Sequence, residues 1–244
     1  MIAIVAGTKA TEVAGVLRKI PARKRDKVKE VTLDMSRAME SIVTQAFPKA
    51  TVVTDRFHAQ QLVSEALQDM RVALRRETLK QENEAIKEAR EKRTKYTPIV
   101  YNNGDTTRQL LARSRYLLFK PSTKWTASQK LRADIVFKEY PKLKSAYNLS
   151  MMFRSCYENS GSIPEAKKKL QQWYEKVAAK NIESFNVAAE SISLHEDTIL
   201  NYFINRSTNA SAESFNAKLK GFRSLVRGVR DKKFFLFRVS KLYG

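Results

Sequence analysis

Three carboxylates in this chain stand where metal chemistry would need them. The run Glu30-Val31-Thr32-Leu33-Asp34-Met35-Ser36 is strand-forming and closes on Asp34, with Ser36 placed to cap a following helix. A second run, Thr51–Thr54, closes on Asp55, and His58 follows three residues on. The third acid is Glu213. With Asn209, Asn216 and Lys220 it recurs at spacings of four, three and four, one stripe of a helix. The chain carries a formal net charge of +21, so an acid at the end of a buried strand is a candidate ligand for a hard cation rather than scattered surface acidity. One carboxylate alone does no metal chemistry, and Glu213 is the candidate partner of Asp34. Around it lie Arg206, Lys218, Lys220, Arg223, Arg227 and Arg230. An acid flanked by Asn and ringed by cations suits a metal held against a phosphate backbone. The same Glu213 also reads as a surface acid near a helix N-terminus, where the helix dipole favours it. Residue types alone leave both readings open.

The elements that position these residues follow from hydrophobic spacing. Residues 1–58 alternate strands and helices. A strand is expected at residues 2–5. A helix follows over 11–20, with Val13, Val16, Leu17 and Ile20 on one face, ended by Pro21. A strand at 31–34, a helix over 37–47 with Ala38, Ile42, Ala46 and Phe47 inward, and a strand at Thr51–Thr54 complete the region. Strands separated by helices predict βαβ units and a mainly parallel sheet. From residue 59 to about 95 the pattern is one long helix, with Leu62, Ala66, Met70 and Leu74 inward and a charged far end. Asn102-Asn103-Gly104-Asp105 is a turn. Helices are then expected at 107–119, 127–140, 143–157, 165–178 and 183–204, so that 59–205 reads as all-helical. Trp125, Phe137, Trp173 and Tyr174 build its core. A last helix begins after a cap at Ser207 or Thr208, and Ala212, Phe215, Leu219 and Phe222 form its buried stripe.

Composition narrows the function classes. Hydrophobic content of 43% is enough for a real core. Its 46 Lys and Arg and a pI near 10.1 point to a polyanionic partner, nucleic acid first and an anionic membrane surface second. No apolar run reaches the roughly 18 to 20 residues of a spanning helix. The first residues lack the basic and long apolar regions of a signal peptide. Cys156 is the only cysteine, which excludes a disulfide framework and a cysteine zinc site. A cytoplasmic location is the expectation.

Four strings carry a resemblance. Val31-Thr32-Leu33-Asp34-Met35-Ser36, Ala46-Phe47-Pro48-Lys49-Ala50, Thr54-Asp55-Arg56-Phe57-His58 and Ser207 through Lys218 resemble insertion-sequence transposases of the ISL-three type. Leu111-Ala112-Arg113-Ser114-Arg115-Tyr116-Leu117-Leu118 belongs to the same resemblance, which spans nearly the whole chain. It implies an α/β plus all-α protein, mostly helical overall. A partial RNase-H-like catalytic domain of the DDE superfamily would occupy 1–58, a large helical insertion 59–205, and 206–244 would supply the C-terminal catalytic and DNA-contact helices. Asp34 matches the second Asp of the triad and Glu213 its Glu, together ligands of Mg²⁺ or Mn²⁺, two ions in the intact family about 4 Å apart. Asp55 is the rival ligand. Asp34 is preferred because its strand would lie nearer the sheet centre, which leaves Asp55 and His58 as orienting groups or DNA contacts, with Asn209 and Asn216 beside Glu213. His58 also reads as a histidine at a helix start with a satisfied hydrogen bond. Arg206, Lys218, Lys220, Arg223, Arg227 and Arg230 would hold backbone phosphates without reading sequence.

The resemblance further implies metal-dependent strand cleavage and strand transfer on transposon ends and target DNA, by an oligomer assembled on that DNA, in a bacterial cytoplasm and at the nucleoid when bound. The family's first catalytic Asp, on a strand that would precede Met1, has no counterpart here. The expectation is therefore an N-terminally truncated chain or the C-terminal part of a split transposase, inactive until a missing N-terminal fragment joins it. A non-catalytic nucleic-acid-binding protein is the alternative, and a helical scaffold a third reading against which the charge counts.

Overall fold

Short β-branched runs and the helix caps beside them set the sheet. The computed structural model describes residues 5, 7–228 and 230–243. The strand expected at residues 2–5 lies outside them, save Val5. Helices α1 (Ala10–Arg18) and α2 (Ala22–Arg25) precede β1 (Glu30–Leu33), α3 (Arg37–Ala46), β2 (Thr51–Thr54) and α4 (Arg56–Glu91). β1 and β2 are parallel, in register from Glu30 opposite Thr51 to Leu33 opposite Thr54, and α3 is the crossover between them. Ser36 caps α3 as expected, its Oγ accepting from Met39 N at 3.5 Å. The inward face of α3 is Ile42, Val43 and Ala46. Ala38 is exposed, so the buried stripe is turned toward Val43. α1 packs on α3 with Ala14 as its buried residue, while Val13, Val16 and Leu17 are half-buried. A small residue at the contact lets the two helices close on each other.

Most of the remaining chain is helical. α5 (Thr107–Arg113), α6 (Arg115–Leu118), α7 (Ala127–Glu139), α8 (Pro141–Glu158), α9 (Ile163–Lys180) and α10 (Glu183–Ser193) are followed by α11 (Glu196–Leu200), α12 (Tyr202–Asn205), α13 (Ala210–Leu225) and α14 (Lys232–Tyr243). The chain divides into two compact units, residues 1–59 with 195–244, and residues 60–194.

In the helical unit, Thr106 with Gln109 and Thr126 with Gln129 form reciprocal capping boxes that start α5 and α7. Trp173 is fully buried, 4.9 Å from Phe153 and 5.4 Å from Tyr174 between ring centroids, and its indole N–H donates to Leu149 O at 2.9 Å. Trp125 is half-buried beside Phe137 and Tyr147. The helix expected over 107–119 breaks at Ser114, whose hydroxyl donates to Leu111 O at 2.9 Å and competes with the helical ladder there. Asp105, at the end of the expected turn, is fully buried. It accepts from Arg132 Nε at 2.7 Å, from Arg113 Nη1 and from Asn103 Nδ2 at 2.9 Å.

In the strand-bearing unit, α11 packs on β2. The Thr54 and Thr198 hydroxyls share a hydrogen bond of 2.8 Å, and Asn201 Nδ2 donates to Val52 O at 2.9 Å. Asn205 Nδ2 donates to Glu30 Oε2 at 2.9 Å. The single helix expected over 183–204 is three: the chain leaves helical geometry at His195 (φ −117°, ψ 16°), a turn at Asn201 parts α11 from α12, and α12 ends on a left-handed Arg206 at φ 55°. The expected buried stripe of α13 is corrected too. None of its residues is fully buried: Phe215, Leu219 and Phe222 are half-buried and Ala212 is exposed. The stripe meets α14 through its rings, with Phe222 stacked on Phe235 at 5.7 Å and Phe215 edge-on to Tyr243 at 5.6 Å. The N-cap of α13 is Asn209, not Ser207 or Thr208, and its side chain makes no capping bond.

Candidate functional site

Asp34 and Asp55 are the residues immediately after β1 and β2, and Leu33 and Thr54 are the last register pair. Asp55 N continues the ladder by donating to Leu33 O at 2.8 Å. The two acids therefore stand side by side at the carboxyl ends of parallel strands, which lie about 4.8 Å apart. Their surroundings differ. Asp34 is half-buried, and its Oδ1 accepts from Ser36 N at 3.2 Å in a local turn that leads into α3. Asp55 is 2% exposed, and its Oδ2 lies 3.1 Å from His58 Nδ1. A carboxylate only accepts, so Nδ1 donates. The ring is partly exposed and sits edge-on to Phe57 at 5.6 Å.

Glu213 lies in the first turn of α13 and is exposed, as are Asn216, Lys218, Lys220 and Arg223. Asn209 is half-buried, and its carbonyl accepts from Glu213 N at 2.9 Å. Arg206, Arg227 and Arg230 are exposed on the chain around α13. Lys220, Arg223, Ser224, Arg227 and Phe235 line a cleft of about 440 Å³, where the Arg223 guanidinium lies 5.6 Å from the Phe235 ring centroid. Among the described residues no carboxylate pairs with Lys218, Lys220, Arg223 or Arg227, so these cations face solvent uncompensated.

The carboxylates fit Mg²⁺ or Mn²⁺ in kind, being hard oxygen donors at the ends of parallel strands. In number they stop short. Among the described residues no group of three or more His, Cys, Asp or Glu side chains could hold a metal ion, so neither His58 nor Glu213 completes a three-ligand set with Asp34 and Asp55. The structure brings Asp34, Asp55 and His58 to one end of the sheet and leaves Glu213 on an exposed helix face.

Thr198 and Asn201 were not legible from the sequence as supports of this site. They bond to Thr54 and Val52 of β2, the strand that leads into Asp55, from 144 and 149 positions away. A hydroxyl and an amide inside an apolar helical pattern were the only local trace.

The described residues thus hold two parallel strands followed by acids, a long helical segment and a basic C-terminal helix pair. The sequence model of the ISL-three type DDE transposases, described as "Transposase", matches residues 1–239. The chain belongs to this transposase family. No curated protein and no solved structure matches it. No helix among the described residues is long and apolar enough to cross a membrane.

Proposed function

We propose that the chain carries part of the metal-dependent DNA cleavage and strand-transfer centre of a transposase. Residues 1–59 with 195–244 are the portion of an RNase-H-like domain, and residues 60–194 the helical insertion within it. The observation that carries this reading is the pair of carboxylates, Asp34 and Asp55, at the ends of two adjacent parallel strands joined by a crossover helix. Asp34 and Glu213 are the ligands assigned to a divalent cation, and Asn209 and Asn216 flank Glu213 on its helix. When bound there, the cation would supply charge neutralisation at a phosphodiester oxygen. Asp34 is the better ligand of the two strand-end acids because it is half-buried and, among the described residues, accepts from one backbone N–H. Asp55 is closed off and engaged by His58, which suits an orienting role. Lys218, Lys220, Arg223 and Arg227, with Arg206 and Arg230 nearby, position backbone phosphates of transposon-end and target DNA.

The test is Mn²⁺ binding followed by electron paramagnetic resonance, alongside Mg²⁺- and Mn²⁺-dependent nicking of plasmid DNA. Asp34→Ala and Glu213→Ala each lower Mn²⁺ affinity by tenfold or more. Arg223→Gln with Arg227→Gln lowers DNA affinity and leaves Mn²⁺ binding intact. Wild-type Mn²⁺ affinity retained in both acidic variants would sink the assignment. DNA binding that survives loss of both arginines, with no metal-dependent nicking, favours a non-catalytic nucleic-acid-binding protein.

A further inference from the structure

The string from Leu111 to Leu118 is largely consumed by the helical unit itself. Leu111, Leu117 and Leu118 are fully buried, Ser114 bonds back to Leu111, and Arg113 pairs with Asp105. Arg115 and Tyr116 are left over. Both are exposed, and the Arg115 guanidinium lies 5.5 Å from the Tyr116 ring centroid.

Arg71 of α4 is tied to the same place through Gln68, and Arg75 lies four residues further along the same helix face. Gln68 Nε2 donates to Arg115 O at 3.3 Å, while Gln68 Oε1 accepts from Arg71 Nε at 2.7 Å. Arg71 is 6% exposed, and its Nη1 donates to Leu111 O at 3.0 Å. One turn further along α4, Arg75 has a buried Nε with no hydrogen-bond partner. Among the described residues, no ion pair involves Arg71, Arg75 or Arg115. Burial first, then the Arg115 and Arg75 charges, push Arg71 below its usual pKa, with no carboxylate to offset them. A guanidinium does not shed its proton to relieve such crowding. A structural role accounts for Arg71, which holds the end of α5 through Leu111 O. It does not account for Arg75, which is half-buried with an unsatisfied Nε, or for Arg115, which is exposed.

We propose that Arg71, Arg75 and Arg115 form a phosphate site on the helical unit, which takes a backbone phosphate of DNA at a place separate from the C-terminal basic helices, with Tyr116 against the adjoining sugar. The charge distribution agrees. Residues 60–194 carry 25 Lys and Arg against 15 Asp and Glu, so the excess positive charge is not confined to the strand-bearing unit. Planar guanidinium forks match phosphate oxygens in geometry as well as charge. The DNA source of the phosphate rests on the function proposed above; the anion chemistry does not.

The experiment compares the full chain with a double variant, Arg75→Gln and Arg115→Gln, which leaves Arg71 on Leu111. Circular dichroism confirms that the variant folds. Fluorescence anisotropy with a short duplex between 50 and 200 mM salt is expected to show about tenfold weaker binding in the variant. The slope of log affinity against log salt is expected to fall by about one, the loss of one phosphate contact. Inorganic pyrophosphate is expected to raise the Tm of the wild type and not of the variant. An unchanged salt slope with an unchanged pyrophosphate response overturns the site. An unchanged slope with a lost pyrophosphate response overturns DNA as the ligand and leaves a site for a small phosphate. A wild type that binds no duplex, yet is stabilised by pyrophosphate in a way the variant is not, overturns the proposed function while supporting the site.

Discussion

Asp105→Asn is the most informative single change in the helical unit. The carboxylate is fully buried and accepts from two guanidinium groups and one amide. Burial alone would raise its pKa. The hydrogen bonds from Arg132 and Arg113, and then their charges, outweigh burial and leave it below the usual carboxylate value. Removing one member of a buried pair costs about 3–5 kcal/mol, because the other charge stays desolvated. The Arg132 side chain is only 16% exposed and bears most of that loss, while Arg113, at 54%, rehydrates. The lower end, about 3 kcal/mol, is therefore expected, a Tm drop of roughly 6–12 °C for a chain of this size. Trp125 and Trp173 are the only tryptophans and both lie in this unit, so urea unfolding followed by tryptophan fluorescence reads it directly. The folded-state pKa is depressed, so the stabilisation is fully present above the unfolded value near 3.9. It is lost as pH falls through the folded value. The gap between wild type and variant should hold at pH 7 and shrink below about pH 4. A gap under about 1 kcal/mol at pH 7, or one that does not narrow in acid, would refute the electrostatic account.

The other expectations are simpler. Asp55→Ala costs about 1–3 kcal/mol in urea unfolding, since a buried acceptor and its His58 donor are separated, whereas Asp34→Ala stays within about 1 kcal/mol; the reverse order would contradict the buried, supporting place given to Asp55. Asn201→Ala strips the Val52 carbonyl of its amide donor and costs about 1 kcal/mol, with faster hydrogen exchange along β2; unchanged protection there would mean that α11 does not hold the strand. Burial pushes the Cys156 thiol up to about 11, so labelling at pH 8 by a disulfide reagent should lag far behind a urea-unfolded control. Native labelling at the control rate would show that the thiol is not enclosed.

The parts of the fold that were legible are those written locally. β2 begins and ends where its β-branched run does, Ser36 caps α3, and α7 starts after a Thr whose Gln lies three residues on. Chemistry within four residues decides such features. What escaped was set by distant neighbours. Asp105 reads as a turn residue until Arg113 and Arg132 arrive, 8 and 27 positions later. The apolar stripe of α13 predicts burial, yet helical periodicity records only which side chains share a face, not how much surface comes to cover them. The break at His195 is likewise invisible in an apolar spacing that continues across it. For the site, the strand-end acids were visible as sequence, and their adjacency follows from the parallel register. Their unequal burial does not, because α11 and the His58 contact impose it.

The hydrogen bonds that tie α11 to β2 have a consequence for synthesis. Their partners are 144 and 149 residues apart, whereas α7, α8 and α9 each pack on the next helix in sequence. At roughly 5–20 residues per second, β2 leaves the ribosome on the order of 10–30 s before α11 does. The helices between them find their neighbours almost as soon as they emerge. The sheet must wait uncovered on that side, with Val53 and the residues before Asp55 open to whatever first binds nascent chains. A ribosome that stalls once the helical unit has emerged but before α11 has would leave a finished helical unit beside an unfinished sheet.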